Sequence, residues 1–409
     1  MLYELLYPLR HHAPWLGGLN VLRYIPFRAV AATLTAMLMS FVMSPWFIRQ
    51  LQNKQIGQVV REDEMAHHQI KRGTPTMGGS LVLLCLLVPT ILWADPHNVF
   101  VWATAAVTAG YGVIGYLDDY LKIHRRDSAG LAGRYKLVGQ FLVGGAALAY
   151  VFVPRAQLPA DWIAIKDHLA VPFVAFSKHP IVLPAALYFV FALIVVVGMS
   201  NGVNLTDGAD GLAIGPVIIN ASTYLIIAYL TGATLSGMTL AKFLDVGPEV
   251  RQALDHPDVA FSFARYLDIP AIAATGELTI YCGAMIGAGI GFLWFNAFPA
   301  SVFMGDVGAL ALGGGLGMCA VLTKSELLSL ILGGVFVVEA GSSFLQTMWF
   351  KLTRRLSPLP DGQGRRLFLR APFHHHLERK GWPETKIVVR FWIVTVLLAL
   401  ISIAQLKVR

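Results

Sequence analysis

Long apolar runs alternate along this chain with short polar stretches. Ten runs are long enough, or nearly so, to cross about 30 Å of hydrocarbon as helices. They cover residues 29–48, 78–93, 99–117, 137–153, 181–199, 212–230, 278–298, 307–322, 327–350 and 387–406. An open sheet edge leaves backbone groups unsatisfied in lipid, so helices are expected. The pattern predicts an all-α polytopic membrane protein of about ten transmembrane helices, a single integral membrane domain over residues 1–409. Composition agrees: 56% of residues are hydrophobic and 14% charged, against about a quarter charged in a soluble domain. A soluble binding module is excluded.

Charge then orients the runs. Five Lys or Arg residues fall between 49 and 77, five between 122 and 136, and nine between 351 and 386. Basic connections stay on the cytoplasmic side, so these loops are read as cytoplasmic and both termini as external. The net charge of +8 follows from that topology, and no nucleic-acid partner is needed. Residues 155–178 and 232–276 are then external loops, and 351–386 is a cytoplasmic loop rich in histidine. The first run is full length and lacks a small-residue cleavage site, so no cleavable signal peptide is expected. Cys85, Cys282 and Cys319 all sit inside apolar runs and read as small core residues.

Candidate chemistry sits where the runs meet the cytoplasmic boundary. Asp118 and Asp119 end the third run. Neighbouring carboxylates repel, and a divalent cation or a proton relieves that repulsion. The connection 201–211 (Asn-Gly-Val-Asn-Leu-Thr-Asp-Gly-Ala-Asp-Gly) carries Asn204, Asp207, Gly208 and Asp210, with the two acids one helical turn apart. The connection 296–306 begins at Asn296 and ends in Phe303-Met304-Gly305-Asp306. Acids at the bilayer centre cost roughly 2.5–3.5 kcal/mol each, so five of them are expected to gather in a wet cleft at one face. Hard oxygen ligands without cysteine favour Mg²⁺ or Mn²⁺. Acids together with basic loops suit a phosphorylated substrate bridged by metal. His374, His375 and His376 precede Glu378, but adjacent side chains diverge, so the three are not expected to bind one ion. Glu339 lies inside the ninth run, where pairing with a neighbouring span is the plain reading.

Five motifs together resemble a known family. They are Gly73-Thr74-Pro75-Thr76-Met77-Gly78-Gly79, Asp118-Asp119, the 204–211 stretch, Phe303-Met304-Gly305-Asp306 and His374-His375-His376-Leu377-Glu378. In order and in side of the membrane they resemble the polyprenyl-phosphate N-acetylhexosamine-1-phosphate transferases. The Gly-Thr-Pro-Thr-Met-Gly-Gly turn and the triple histidine are similar to the muramoyl branch, the phospho-N-acetylmuramoyl-pentapeptide-transferases (MraY). The resemblance implies a ten-helix fold in the bacterial inner membrane with an active-site cleft on its cytoplasmic face. It implies transfer of phospho-MurNAc-pentapeptide from UDP-MurNAc-pentapeptide to undecaprenyl phosphate, giving lipid I and UMP, with Mg²⁺ as cofactor. By the same resemblance Asp306 would ligate the metal, and Asp118 and Asp119 would serve the lipid phosphate, one of them (Asp118 in preference) as base. Phe303 would stack on uracil. Lys71, Thr76, Asn204, Asp207, Gly208, Asp210, Asn296 and Gln346 would surround nucleotide and cation. Lys136 would reach the diphosphate, and His374, His375 and His376 would line the sugar-phosphate side. Membrane lipid is an implied partner, and a homodimer is compatible with the reading. The external loops and the stretch 357–370 look longer than the family requires.

Two alternatives remain at this stage. A UDP-GlcNAc:polyprenyl-phosphate GlcNAc-1-phosphate transferase would use the same aspartates with a different sugar loop. A secondary transporter would place its acids near the bilayer midplane on broken helices.

Overall fold

A computed structural model describes residues 1–12, 14–53, 74–125, 130–154, 156–236, 260–356 and 363–408. Its long helices are α1 (Ile25–Asn53), α2 (Gly79–Trp93), α3 (Val99–Arg125), α4 (Gly133–Phe152), α5 (Ala185–Thr206) and α6 (Ile214–Gly232). They continue with α7 (Leu278–Asn296), α8 (Gly305–Leu322), the short α9 (Leu328–Leu332), α10 (Gly334–Leu356), the short α11 (Phe373–Arg379) and α12 (Glu384–Ala404). Among the described residues, eight helices are long and apolar enough to cross a membrane. Helix α2 is apolar but has only 15 residues. The predicted ninth run is interrupted at Gly333, which separates α9 from α10. The chain is therefore an all-α, multi-pass membrane protein.

Two boundaries matter for the chemistry. The third apolar run ends at residue 117, but helix α3 continues to Arg125 and carries Asp118, Asp119 and Lys122 with it. Lys122, His124 and Arg125 in its last turn complement the negative end of the helix dipole. Helix α8 opens on Gly305, at φ +71°, and places Asp306 in its first turn, at the positive end of its dipole.

Helix α8 is the axis of the bundle. Every residue from Val307 to Leu322 is buried, and the helix packs on α3 and α5. Its neighbour α7 packs on α1 and α6. Close approach of α3 to α8 depends on Gly115, where a Cβ would land on the backbone carbonyl of Asp306. On the outside, Val30, Leu34, Leu38, Val42 and Trp46 form an exposed apolar stripe every fourth residue along α1. In water such a stripe would be a liability; against lipid it is the expected surface.

Both chain ends lie at the face opposite the motifs. The Met1 ammonium donates to the Ala94 carbonyl just beyond α2, at 3.2 Å, and Ile403 and Leu406 pack against Ile269 and its neighbours. Here Arg28 makes a two-pronged pair with Glu277 (2.8 and 2.6 Å), and the Asp95 amide donates to Glu277 at 2.8 Å, tying α1 to the connections that follow α2 and precede α7. Nearby, Tyr188 on α5 donates to buried Glu326 and accepts from Lys324 at 2.9 Å. Two short antiparallel pairs lie in or beside the loops at 155–178 and 232–276. His168–Leu169 pairs with Ile181–Val182, and Thr234–Ser236 with Ala260–Ser262.

Candidate active site

Helix polarity gathers the motifs. The C-terminal ends of α3, α5 and α7 and the N-terminal ends of α4, α6, α8 and α12 all lie at one face, so residues far apart in the chain meet there. Carboxylate oxygens of Asp118, Asp119 and Asp306 lie within 4.8 Å of one another. Asp118 and Asp119 are nearly fully buried, at 1% and 3% exposure. The Asp119 carboxylate accepts from the Val307 amide at 3.3 Å, which ties the end of α3 to the first turn of α8. Asn204 in the last turn of α5 donates to Asp306 at 2.9 Å. Lys136, in the first turn of α4, lies 2.6 Å from Asp306 and 3.1 Å from Asp118. Lys122 lies 2.6 Å from Asp118 and 3.1 Å from Asp306.

Asp207 caps the C-terminus of α5 beside this cluster. Burial first, and then the negative charges of Asp306 and Asp119, push its pKa up to about 8, while a hydrogen bond from the Gly305 amide pulls the other way. The donor set is all oxygen, without histidine or cysteine, which suits a hard divalent cation such as magnesium. Asp306 with Asp118 and Asp119 are the residues that would hold it.

The loop after Asp207 is braced from behind. Asp210 accepts from the Ala300 amide (3.0 Å), and its own amide donates to Glu384 (2.8 Å). Asn296 accepts from the Gly211 amide (3.1 Å) and donates to the Val302 carbonyl (2.9 Å). Both Asp210 and Asn296 are 3% exposed, so their amide and carboxylate groups shape the loop from its buried side. Beside the aspartates, the turn containing Thr76 joins the 303–304 backbone: Phe303 donates to the Pro75 carbonyl, and the Gly78 and Gly79 amides donate to the carbonyls of Phe303 and Met304, each at 2.8 Å. The Phe303 ring stays partly exposed.

The three histidines take different partners, although the rings of His374 and His375 lie only 4.1 Å apart. His374 is held twice by buried Glu339, through its backbone amide (3.0 Å) and its Nδ1 (2.8 Å). Its Nε2 finds no hydrogen-bond partner among the described residues and lies where a Cβ on Gly208 would be. His375 Nδ1 faces Glu378 at 2.7 Å, and burial lowers its pKa. His376 Nδ1 accepts from the Leu369 amide at 3.1 Å, and its ring stacks on Phe373. Gln346 accepts from the amides of Leu367 and Phe368 (3.0 and 2.9 Å) and donates to the Phe368 carbonyl (3.3 Å), so its amide pins the stretch leading to the histidines. Lys71 lies outside the described residues. Sequence reasoning left out Lys122, although its position four residues after Asp118 on one helix was the available signal. It also read Glu339 as paired with a neighbouring span, whereas its partner is His374 on the short α11, 35 residues away.

Inward-facing acids and lysines at one end of an α-helical membrane bundle suit a membrane-embedded enzyme acting on phosphorylated substrates. Residues 101–324, more than half of the chain, match glycosyl transferase family 4, and the chain belongs to that family. Its full length is 61% identical over 409 residues to the whole of a phospho-N-acetylmuramoyl-pentapeptide-transferase from Sorangium cellulosum. Proteins of the same name from Citrifermentans bemidjiense and an Anaeromyxobacter species are each 46% identical, again end to end. Within family 4 the chain is therefore a member of the phospho-N-acetylmuramoyl-pentapeptide-transferases. The loops that look long in the sequence fall within these end-to-end matches, so they are no departure from such relatives.

Proposed function

We propose that the protein transfers phospho-MurNAc-pentapeptide from UDP-MurNAc-pentapeptide to undecaprenyl phosphate, forming lipid I and releasing UMP, the first membrane step of peptidoglycan synthesis. The motif-bearing face is then the cytoplasmic face of the bacterial inner membrane, and both termini are external. The observation that carries this reading is the meeting of Asp118, Asp119 and Asp306 beside Lys122, Lys136 and Asn204, in a chain whose relatives bear that name end to end.

The acceptor's phosphate oxygen forms a bond to the sugar-linked phosphorus, and the bond from that phosphorus to the bridging oxygen breaks, so UMP leaves with the bridging oxygen. Magnesium, when bound at Asp306, supplies charge neutralisation of the diphosphate. Asp118 or Asp119 takes any proton still on the acceptor phosphate, with Asp118 preferred on the family resemblance. Phe303, held by its backbone to the Thr76 turn, offers a ring face for the uracil. His374, fixed by Glu339 and set against Gly208, borders the sugar-phosphate side. Attack is direct; a labelled covalent enzyme trapped from the nucleotide substrate alone would contradict that.

UMP release measured with polyprenyl phosphate and Mg²⁺ tests the assignment. Turnover with UDP-MurNAc-pentapeptide and none with UDP-GlcNAc is expected, and the reverse preference would give the protein to the GlcNAc-1-phosphate branch. Asp306→Ala should abolish turnover while the protein still purifies folded in detergent; a near-normal rate would remove Asp306 from the metal site.

A further inference from the structure

The oxygens expected to meet a cation are already engaged. Lys122 Nζ and Lys136 Nζ bridge the same two atoms, Asp118 Oδ2 and Asp306 Oδ2, at 2.6 and 3.1 Å and at 3.1 and 2.6 Å. The second oxygen of each acid is fixed by a neutral donor: Asp118 Oδ1 by the Leu131 amide (2.7 Å) and Asp306 Oδ1 by Asn204 (2.9 Å). At formal charge, three carboxylates against two ammonium groups leave one net negative charge. A divalent cation finds little attraction there and must displace the ammonium groups paired with both oxygens. With the lysines withdrawn, three negative charges would face it.

Both lysines are able to withdraw. They reach the site from different helices, α3 and α4, on flexible four-carbon stems, and Lys122 is 30% exposed. An ammonium gives up a carboxylate readily when another anion is offered in its place. A nucleoside diphosphate is such an anion.

We propose that Lys122 and Lys136 are resident counter-ions holding the cation seat between Asp118 and Asp306, and that a diphosphate draws them off it. Nucleotide and divalent-cation binding are then coupled through these two side chains. By reciprocity, the factor by which the cation tightens nucleotide is the factor by which nucleotide tightens the cation. The inference rests on the reading of this face as a site for a nucleoside diphosphate and a divalent cation, and gives Lys122 a role in it.

The test is Mn²⁺ binding to the full-length protein in detergent, followed by the electron paramagnetic resonance of free Mn²⁺, with and without UDP and corrected for Mn²⁺ bound by UDP alone. Lys122→Met should bind Mn²⁺ without nucleotide about tenfold or more tightly, because a unit positive charge within a few ångströms has gone. UDP should tighten Mn²⁺ in the unaltered protein, and by a clearly smaller factor in Lys122→Met. Lys136→Met supplies the same comparison should Lys122→Met fail to hold its melting temperature. An equal tightening by UDP in the unaltered protein and the variants would overturn the proposal, since lysines that only add contacts to nucleotide leave the coupling unchanged. Failure of the unaltered protein to bind Mn²⁺ at millimolar concentration, with or without UDP, would instead overturn the site reading beneath it.

Discussion

At the scale of single residues, the site is built by side chains that hold other side chains. Glu339 reads in the sequence as an acid paired with a neighbouring span; the fold instead shows both its oxygens committed to His374. That ring in turn explains Gly208, because any Cβ there would strike His374 Nε2. Gly208→Ala should therefore cost roughly 1–3 kcal/mol through overpacking, read as a lower melting temperature in detergent, with activity falling alongside. An unchanged melting temperature would mean the ring moves aside freely. His375 permits a pH prediction. Burial lowers its folded pKa below the ordinary value of 6.5, although Glu378 opposes this. The unfolded chain then binds the extra proton first, so this residue makes stability fall as pH drops below about 6.5. His375→Gln should flatten that part of the curve of melting temperature against pH, and a parallel curve would refute it.

At the scale of elements, helix ends decide more than helix middles. The apolar runs were plain, but the pattern stopped at residue 117, whereas α3 runs two further turns and delivers Asp118, Asp119 and Lys122 as a helical face. Hydrophobicity marks where a helix meets lipid, not where its hydrogen bonding ends. Gly333 similarly divides what the run at 327–350 presented as one element. At the opposite face, Arg28 and Glu277 lock α1 to the start of α7, with side-chain exposures of 4% and 12%. Arg28→Ala leaves a buried carboxylate without its partner and should cost about 3–5 kcal/mol. A melting temperature within a degree of the parent would show that Glu277 escapes to water. Replacing both residues with apolar ones of similar size should be milder than the single change.

At the scale of the whole molecule, the antiparallel run of helices brings every motif to one face and both chain ends to the other. Helix α8 is buried along its length between two apolar clusters, so the fold is expected to stand without a cation. Chelation with EDTA should accordingly stop turnover and leave helicity by circular dichroism unchanged, with activity returning on adding Mg²⁺. Loss of helicity on chelation would make the ion structural. The lipid-facing stripe of α1 and the buried faces of α7 and α8 divide the apolar residues between two solvents that the sequence does not distinguish, since lipid and protein interior are equally apolar.

The sequence by itself determined the membrane class, nearly all of the spans and the acids at their ends. Those features follow from local hydrophobicity and from the cost of placing charge in hydrocarbon. Tertiary structure alone decided which polar groups face one another: Lys122 and Lys136 across Asp118 and Asp306, Asn296 behind Gly211, Glu339 against His374. Such pairings join residues up to 184 positions apart. They are set by the crossing of helices whose close approach is permitted at Gly115, and no periodicity along the chain encodes that distance.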